Sequence, residues 1–371
     1  LRPVLGSLWS QRDRIYADKA LPRELMQELF GKELKGSVTR LERFAACPYQ
    51  YYCIYGLILR EREEYTVRPV DLGNLFHRAL EMFSRRLRES DYHWKDIPEE
   101  VADAWLTEAV DRAAGEDSGD VLHSSARNQY KVQVVERILK RTVRVLKKHL
   151  ENSHMEPDRF ELHFGRTDKL HSVHLPLKDG SRMQLEGFID RVDVCEEEDR
   201  ILLRIIDYKS GMETFDINDL YHGLQMQLVI YMNVASEIYE AETGKEAVPA
   251  GMFYYNLKDP ILKEEGGEEE MYRKNFRMSG YANSDADILS KLEEGQENFL
   301  SASVRLTKKG VPYKTAAVMN TEDFHTIGRY MRRKITEMGE AIYDGRIPVS
   351  PYKNEKGTAC DYCPYHSVCG F

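Results

Sequence analysis

Three of the six cysteines fall close together near one end of the chain, as Cys360-x-x-Cys363 followed by Cys369, and that clustering constrains the fold more than any other local feature. A secreted disulfide framework belongs to small, cysteine-dense chains; six cysteines in 371 residues, half of them in one loop, read instead as a metal or cluster site. Three thiolates leave a four-sulfur site one ligand short. Cys47 and Cys53 near the other end, and the solitary Cys195, are the remaining sulfurs. Spacing alone leaves zinc and an iron–sulfur cluster both open. A ligand drawn from the early pair would bring two distant parts of the chain together. Closing so long a loop would remove unfolded-chain entropy worth on the order of 5 kcal/mol. Such a site would staple the domain rather than carry out chemistry.

With 42% hydrophobic and 31% charged residues, the chain can build a sizeable core, as one large domain or two smaller ones. It contains no apolar run approaching the roughly 18 residues of a membrane span. Leu1–Arg14 lacks a signal-peptide pattern, and the absence of an initiating Met suggests a piece of something longer. A soluble, cytoplasmic protein without membrane partners is expected. The net charge of −9 argues against a protein that coats DNA through overall basicity, but not against local basic surfaces.

Residues 1–36 read as a helical lead-in or linker, with breaks at Gly31 and Gly36. From Ser37 a helix is expected, with Thr39 as its cap and Glu42 closing a capping box. Leu75, Phe76, Ala79, Leu80 and Phe83 recur at helical spacing and place a helix over 72–87. Further helices fill about 96–152, with a break over Gly115–Gly119, so that 90–155 forms a helical insertion. The pattern then turns to strands: Phe160–Phe164, His171–Leu177, Arg182–Val194 and Ile201–Lys209, with turns at Asp179-Gly180 and Glu196–Asp199. A long helix over Asn218–Tyr239, a strand over Gly251–Leu257, a charged loop over Lys263–Glu270 and a helix over Thr321–Asp344 complete the reading. The order predicts an α/β core with helical additions.

Within the strand region, Gly187-Phe-Ile-Asp190-Arg-Val-Asp193 is followed by Ile205-Ile-Asp207-Tyr-Lys209. Strand side chains alternate between faces, so Asp207 and Lys209 point the same way. Asp190 can join them from a neighbouring strand if the Cys195–Arg200 turn makes a hairpin. An isolated Asp-x-Lys is usually a surface salt bridge. An apolar strand that ends in two charges on one side, beside another carboxylate, better suits phosphodiester hydrolysis. Hard cations such as Mg²⁺ or Mn²⁺ take carboxylate oxygens, and a lysine can orient water or balance developing charge. Unless a bulge intervenes, Asp193 has the wrong parity to share the face of Asp190, and it reads as a salt-bridge partner or as a group that supports the ligands from behind.

The ordered series Gly73-x-x-x-His77, Gly187-Phe-Ile-Asp190, Asp207-Tyr-Lys209 and Gln227-x-x-x-Tyr231 resembles the motifs of the RecB-like PD-(D/E)xK nucleases. That resemblance implies a central mixed sheet flanked by helices, with the nuclease domain over 37–371. It implies that His77, Asp190 and Asp207 bind the metal and that Lys209 is catalytic. Gln227 and Tyr231 would stand beside the site on one helical face, Gln225 being a competing match. The lead-in Ser37-x-Thr39-x-Leu41-x-x-Phe44-x-x-Cys47-Pro48-Tyr49 and the late cysteine triplet resemble the iron–sulfur members of this family, the AddB-type subunits above all. The resemblance therefore favours a 4Fe-4S cluster on Cys47, Cys360, Cys363 and Cys369, with Cys53 the rival for Cys47. It further implies DNA as substrate, one strand delivered by a motor during double-strand break processing for homologous recombination. An AddA-like helicase–nuclease subunit would be the heterodimeric partner. No Gly-x-x-x-x-Gly-Lys-[Ser/Thr] phosphate loop is present, so ATP hydrolysis would lie elsewhere. A stand-alone exonuclease of the same fold and a non-enzymatic DNA-binding scaffold are the alternatives.

The helix around Arg137, Lys140, Arg141, Arg144, Lys147 and Lys148 carries a strongly cationic side. That side is either a solvated flank or a track for phosphates, and the residues leave the two readings balanced. No base-reading motif is evident, so backbone recognition is expected, with some of the 22 tyrosines available to stack on bases.

Overall fold

The computed structural model describes residues 20–60, 67–117, 122, 124–165, 170, 173–260, 268–355 and 357–370. The expectations placed on Leu1–Arg14, on His171, on Gly119 and on Lys263–Gly267 lie outside these residues, the last run being Lys263, Glu264, Glu265, Gly266 and Gly267. In chain order the early elements are α1 (Arg23–Phe30), β1 (Glu33–Gly36), α2 (Val38–Ala46), α3 (Pro48–Tyr51), α4 (Pro69–Arg88), α5 (Glu99–Asp117) and α6 (Ala126–Leu150). Next come β2 (Glu156–Phe164), β3 (His174–Pro176), β4 (Arg182–Leu185), β5 (Gly187–Glu196), β6 (Arg200–Lys209), α7 (Ile217–His222), α8 (Gln227–Thr243) and β7 (Glu246–Asn256). The last are α9 (Glu268–Phe276), β8 (Ser279–Asn283), α10 (Ala286–Leu292), β9 (Val318–Met319), α11 (Thr321–Tyr343), β10 (Lys353–Asn354), β11 (Gly357–Thr358) and α12 (His366–Cys369).

A six-stranded mixed sheet in the order β2-β5-β6-β7-β8-β9 lies at the centre, flanked by helices as expected. Its spine is nearly continuous in apolar residues because both faces are covered: β6 is buried from Ile201 to Tyr208 and β7 from Ala247 to Tyr255. One face packs on α4, α5 and α6 through Leu80, Phe83, Leu106, Leu139 and Leu146. The other packs on α2, α8 and α11 through Leu41, Val229, Ile230, Met331 and Ile335. Met26 and Leu34, from the lead-in before residue 37, belong to this second core. None of the described helices is long and apolar enough to cross a membrane.

Several local expectations are corrected. The helix at residue 37 is capped by Ser37, whose hydroxyl accepts from Arg40 N at 3.3 Å; Thr39 and Glu42 face elsewhere, as described below. The segment 33–36 forms a strand, paired in parallel with β4. The single strand expected over Arg182–Val194 is two strands in two sheets, divided at Glu186, whose N–H donates to Gly36 O at 2.9 Å. α5 runs through Gly115 without a break there. The helix expected over Asn218–Tyr239 is interrupted at Gly223, which adopts φ +85. A Cβ there would approach Met338 Cε to 2.4 Å and Ala45 Cβ to 3.3 Å, so glycine is required both for the turn and for the contact. At the charged segment, Glu268–Glu270 open α9 rather than continuing a loop.

Candidate metal centre

The site is made by a split in the sheet. β5 and β6 form the expected hairpin, paired from Glu196↔Ile201 to Arg191↔Ile206, and the ladder stops there. Beyond it the carboxylate of Asp190 enters the gap and accepts from Tyr208 N at 2.7 Å, replacing the next ladder bond. Gly187 permits the close packing below: a Cβ there would lie 2.9 Å from the ring of Phe164. On the outer side β2 continues beside β5, and Glu161 has φ +47, a strained value for a residue with a side chain.

His77 projects from α4 into this gap. Its Nδ1 lies 3.4 Å from Asp190 Oδ1 and 3.5 Å from Glu161 Oε1. These three residues offer ligand atoms within 4.8 Å of one another. Burial opposes protonation of His77, but its contacts with Asp190 and Glu161 outweigh that and raise it to about 10. The imidazolium gives one positive charge to two acids; a divalent cation would give two and take the neutral imidazole as a ligand. Burial raises the carboxyl of Glu161, and the charge of Asp190 adds to this.

Asp207 is 3% exposed at the end of β6. Burial, then the charge of Asp190, raises its pKa. Its Oδ2 is paired with the Lys209 ammonium at 2.7 Å, with no hydrogen bond aligned on that atom. A buried carboxylate oxygen with one ion-pair partner and no aligned hydrogen bond has room for a further ligand, as a metal-binding oxygen needs. His77, Glu161 and Asp190 are thus a set of one nitrogen and several oxygens that fits a hard divalent cation, and Asp207, which feels the charges of Asp190 and His77, lies beside that set without converging with it.

Lys209 donates to Gln227 Oε1 and lies 5.0 Å from the ring centroid of Tyr254. Burial disfavours its charge, but Asp207 more than compensates and raises its pKa. Gln227 also reaches Thr39 Oγ1 at 3.4 Å. Gln225, the competing match, instead ties a loop, accepting from Asp216 N at 2.7 Å and donating to Thr214 O at 3.0 Å. Tyr231 is buried one turn along α8, its ring 5.9 Å from that of Phe164, and burial followed by the charges of Asp207 and Asp190 raises its hydroxyl.

Two acids of the site carry no signal of it in the sequence. Glu161 lacks a spacing pattern because its role depends on the pairing of β2 with β5. Glu42 fits a capping box locally, but its carboxylate accepts from Met226 N at 2.7 Å. The break at Gly223 leaves the first N–H groups of α8 without helical partners, and Glu42 satisfies them. Burial raises Glu42 to about 8 despite these bonds, with Lys209 lowering it and Asp207 raising it. Glu42 therefore supports the helix end that carries Gln227, which in turn holds Lys209.

The cysteines also gather. Tyr352 N donates to Ala46 O at 2.8 Å and Tyr365 OH to Leu59 O at 2.8 Å, joining the late segment to the early one. Cys47 ends α2 and is close enough to Cys360 to feel its charge. Cys53, expected to be an ordinary buried thiol, feels those of Cys363, Cys369 and Cys47. Cys195 lies apart on β5.

The cationic side of α6 is occupied by acids of the same fold. Arg137 and Arg141 both pair with Asp259, Lys140 with Glu136, Arg144 with Glu99 and Asp103, and Lys148 with Glu151. This favours the solvated, ion-paired reading of that face over a phosphate track.

Residues 35–370 match the family model described as the PD-(D/E)XK nuclease superfamily. Curated relatives, each named as the B-type subunit of an ATP-dependent helicase/deoxyribonuclease, are similar along nearly the whole chain. The relative from Lachnoclostridium phytofermentans is 37% identical over 366 residues, covering 95% of this chain and 31% of the relative. That from Bacillus subtilis is 34% identical over 363 residues, again 95% and 31%. That from Clostridium tetani is 34% identical over 354 residues, 93% and 31%. The chain thus spans about a third of the length of these relatives.

Proposed function

Because the chain belongs to the PD-(D/E)XK nuclease superfamily, we propose that it hydrolyses DNA phosphodiesters, cutting one strand of unwound DNA as the nuclease part of a helicase–nuclease complex. The observation that carries the reading is the split between β5 and β6, where His77, Glu161 and Asp190 converge and the ion-paired Asp207 and Lys209 lie alongside. His77, Glu161, Asp190 and Asp207 would hold Mg²⁺ or Mn²⁺. When bound, such an ion polarises a phosphate oxygen and lowers the pKa of water. The ammonium of Lys209, steadied by Gln227, stands where negative charge develops on phosphorus. Tyr231 and Tyr254 wall this region with buried aromatic surface. Similarity to relatives named helicase/deoxyribonuclease supports DNA as substrate. The relatives' name also supports a helicase partner that brings the motor; that this partner is AddA-like, and that the work is done in the cytoplasm on double-strand breaks destined for homologous recombination, rests on the motif resemblance.

The same reading assigns a 4Fe-4S cluster to Cys47, Cys360, Cys363 and Cys369. Burial raises the Cys47 thiol, and backbone N–H groups of Gln50, Tyr49 and Ser350 directed at its sulfur oppose that rise. Burial pushes Cys53 up to about 11, which makes it the poorer ligand.

The test is cleavage of end-labelled single-stranded and duplex DNA by the purified protein, with Mg²⁺ and with chelator. Metal-dependent cutting, lost in Asp207→Asn, is expected; equal cutting by the variant would overturn the assignment. Anaerobically purified protein should absorb visible light and lose that absorbance in Cys47→Ser but not in Cys53→Ser. Colourless protein with stoichiometric zinc would overturn the cluster.

A further inference from the structure

The described surface carries an aromatic pair that the hydrolytic chemistry does not use. Phe188 is 52% exposed, although it lies within a sheet strand and two residues before Asp190. Phe188 is two residues from Asp190, which keeps their Cα atoms within about 7 Å; the side-chain alternation is interrupted between Ile189 and Val192, which both face the core on α2, α8 and α11. Directly across the ladder, Phe188 pairs with His163, two residues beyond Glu161 on β2. The two rings lie 4.8 Å apart with an interplanar angle of 57°. His163 is exposed as well. Two metal-ligand candidates are therefore each followed, in the same direction out of the split, by an exposed ring.

We propose that Phe188, backed by His163, is a stacking site for one base of a single-stranded nucleic acid, beside the nucleotide whose phosphate enters the metal centre. The proposal rests on the nuclease reading above. A phosphodiester held near Asp190 must place its flanking bases within one nucleotide's reach, and among the described residues Phe188 is an exposed ring two positions from Asp190. An aromatic face accepts any base, which suits a site that reads backbone rather than sequence. The core supplies no reason for the ring to be outside. The next residue, Ile189, is fully buried, so this stretch of β5 packs normally on its inner side. A base in a duplex is already stacked on its neighbours, so the same contact would favour single strands over paired ones. The site fits a single strand better than a protein partner because it lies on β2 and β5, the two strands that also carry Glu161 and Asp190 of the phosphate-handling centre.

The experiment is an abasic scan. Single-stranded oligonucleotides, each lacking one base at a successive position, are cut by the purified parent protein and by Phe188→Ala, with Phe188→Trp as a second variant. Binding of the same oligonucleotides is followed by fluorescence anisotropy in Ca²⁺. The parent should lose about tenfold in kcat/KM when one particular position near the cut is abasic. Phe188→Ala should lose a similar factor on the intact oligonucleotide, and nothing more when that position is abasic. Phe188→Trp should restore the parent pattern, which a merely misfolded alanine variant would leave unexplained. A flat scan in the parent, or losses that multiply in Phe188→Ala, would overturn the proposal. A protein that binds with the expected pattern but does not cut would contradict the nuclease reading while upholding the stacking site.

Discussion

Asp193 and Asp207 lie on the same hairpin, both buried, and the sheet turns them to opposite faces with opposite outcomes. Asp193 faces α4–α6 and is saturated. Arg191 donates to both of its oxygens, at 2.5 and 3.1 Å, and Arg204 donates twice to Oδ2, at 2.8 and 2.5 Å. Arg191 also lies 5.0 Å from the ring centroid of Trp94 and reaches Tyr208 OH at 3.4 Å. Burial would raise Asp193, but the two guanidinium groups overcome it and hold the carboxyl below its usual range. Asp207 faces α8 and has one partner where Asp193 has two: Lys209 lies 2.7 Å from its Oδ2, no hydrogen bond is aligned on that oxygen, and burial beside Asp190 raises it. Burial alone therefore does not mark a functional acid. The distinction is whether the fold completes its hydrogen bonds, and at Asp207 it leaves that to a ligand.

Exchanging the two acids for asparagine gives the sharpest test of this contrast. Asp207→Asn should cost at least about 10³-fold in kcat with a small change in thermal stability, because losing the single ion pair with Lys209 is offset by relief of the repulsion with Asp190. Asp193→Asn should do the reverse. Leaving two buried guanidinium groups without their counter-charge should destabilise by about 3–5 kcal/mol, read as a lower denaturation midpoint, with metal-dependent cutting retained by the folded fraction. If both variants lost stability equally, the two faces would not differ as described.

Glu42 sharpens the comparison because it is buried near the site but hydrogen-bonded. Glu42→Gln keeps an acceptor for Met226 N and should lower kcat by roughly tenfold through looser placement of Gln227 and Lys209, with KM little changed. In chelator, the pH dependence of stability gives the sign. A carboxyl raised from 4.5 to about 8 in the folded state favours folding while protonated, and that advantage is lost as pH rises through that window. Glu42→Gln should therefore flatten the fall in the parent's melting temperature between about pH 5 and 8. An unchanged slope would show that Glu42 is ionised throughout.

The smallest effect is expected where the sequence leaves two readings balanced. Arg137→Ala and Lys140→Ala, on the ion-paired flank of α6, should each change DNA affinity by less than about 1 kcal/mol. A large, salt-sensitive loss would restore the phosphate-track reading of that helix.

What the sequence displays follows from range. The Asp-x-Lys on one strand face, the Gln-x-x-x-Tyr on one helix face and the late cysteine triplet are local periodicities, and each is visible. The parity argument also separates Asp193 from Asp190 and reads it as a salt-bridge partner. Glu161 is not visible, because its place beside His77 depends on the register of β2 against β5 and on a left-handed backbone that no pattern announces. Glu42 is easily misread because a local capping box explains it well. Only the break at Gly223, where a Cβ would meet α11 and α2, exposes the helix end that claims it. The gathering of Cys53 with the other thiols likewise follows from long-range contacts such as Tyr365 with Leu59.

The most direct test of the metal centre is an anomalous-difference map from crystals of the protein soaked in Mn²⁺. One peak between Asp190 and Asp207, about 2.0–2.3 Å from oxygens of both and within reach of His77 and Glu161, is the expected result. A Mn²⁺ ion bound elsewhere, with Asp207 still facing Lys209 alone, would contradict it.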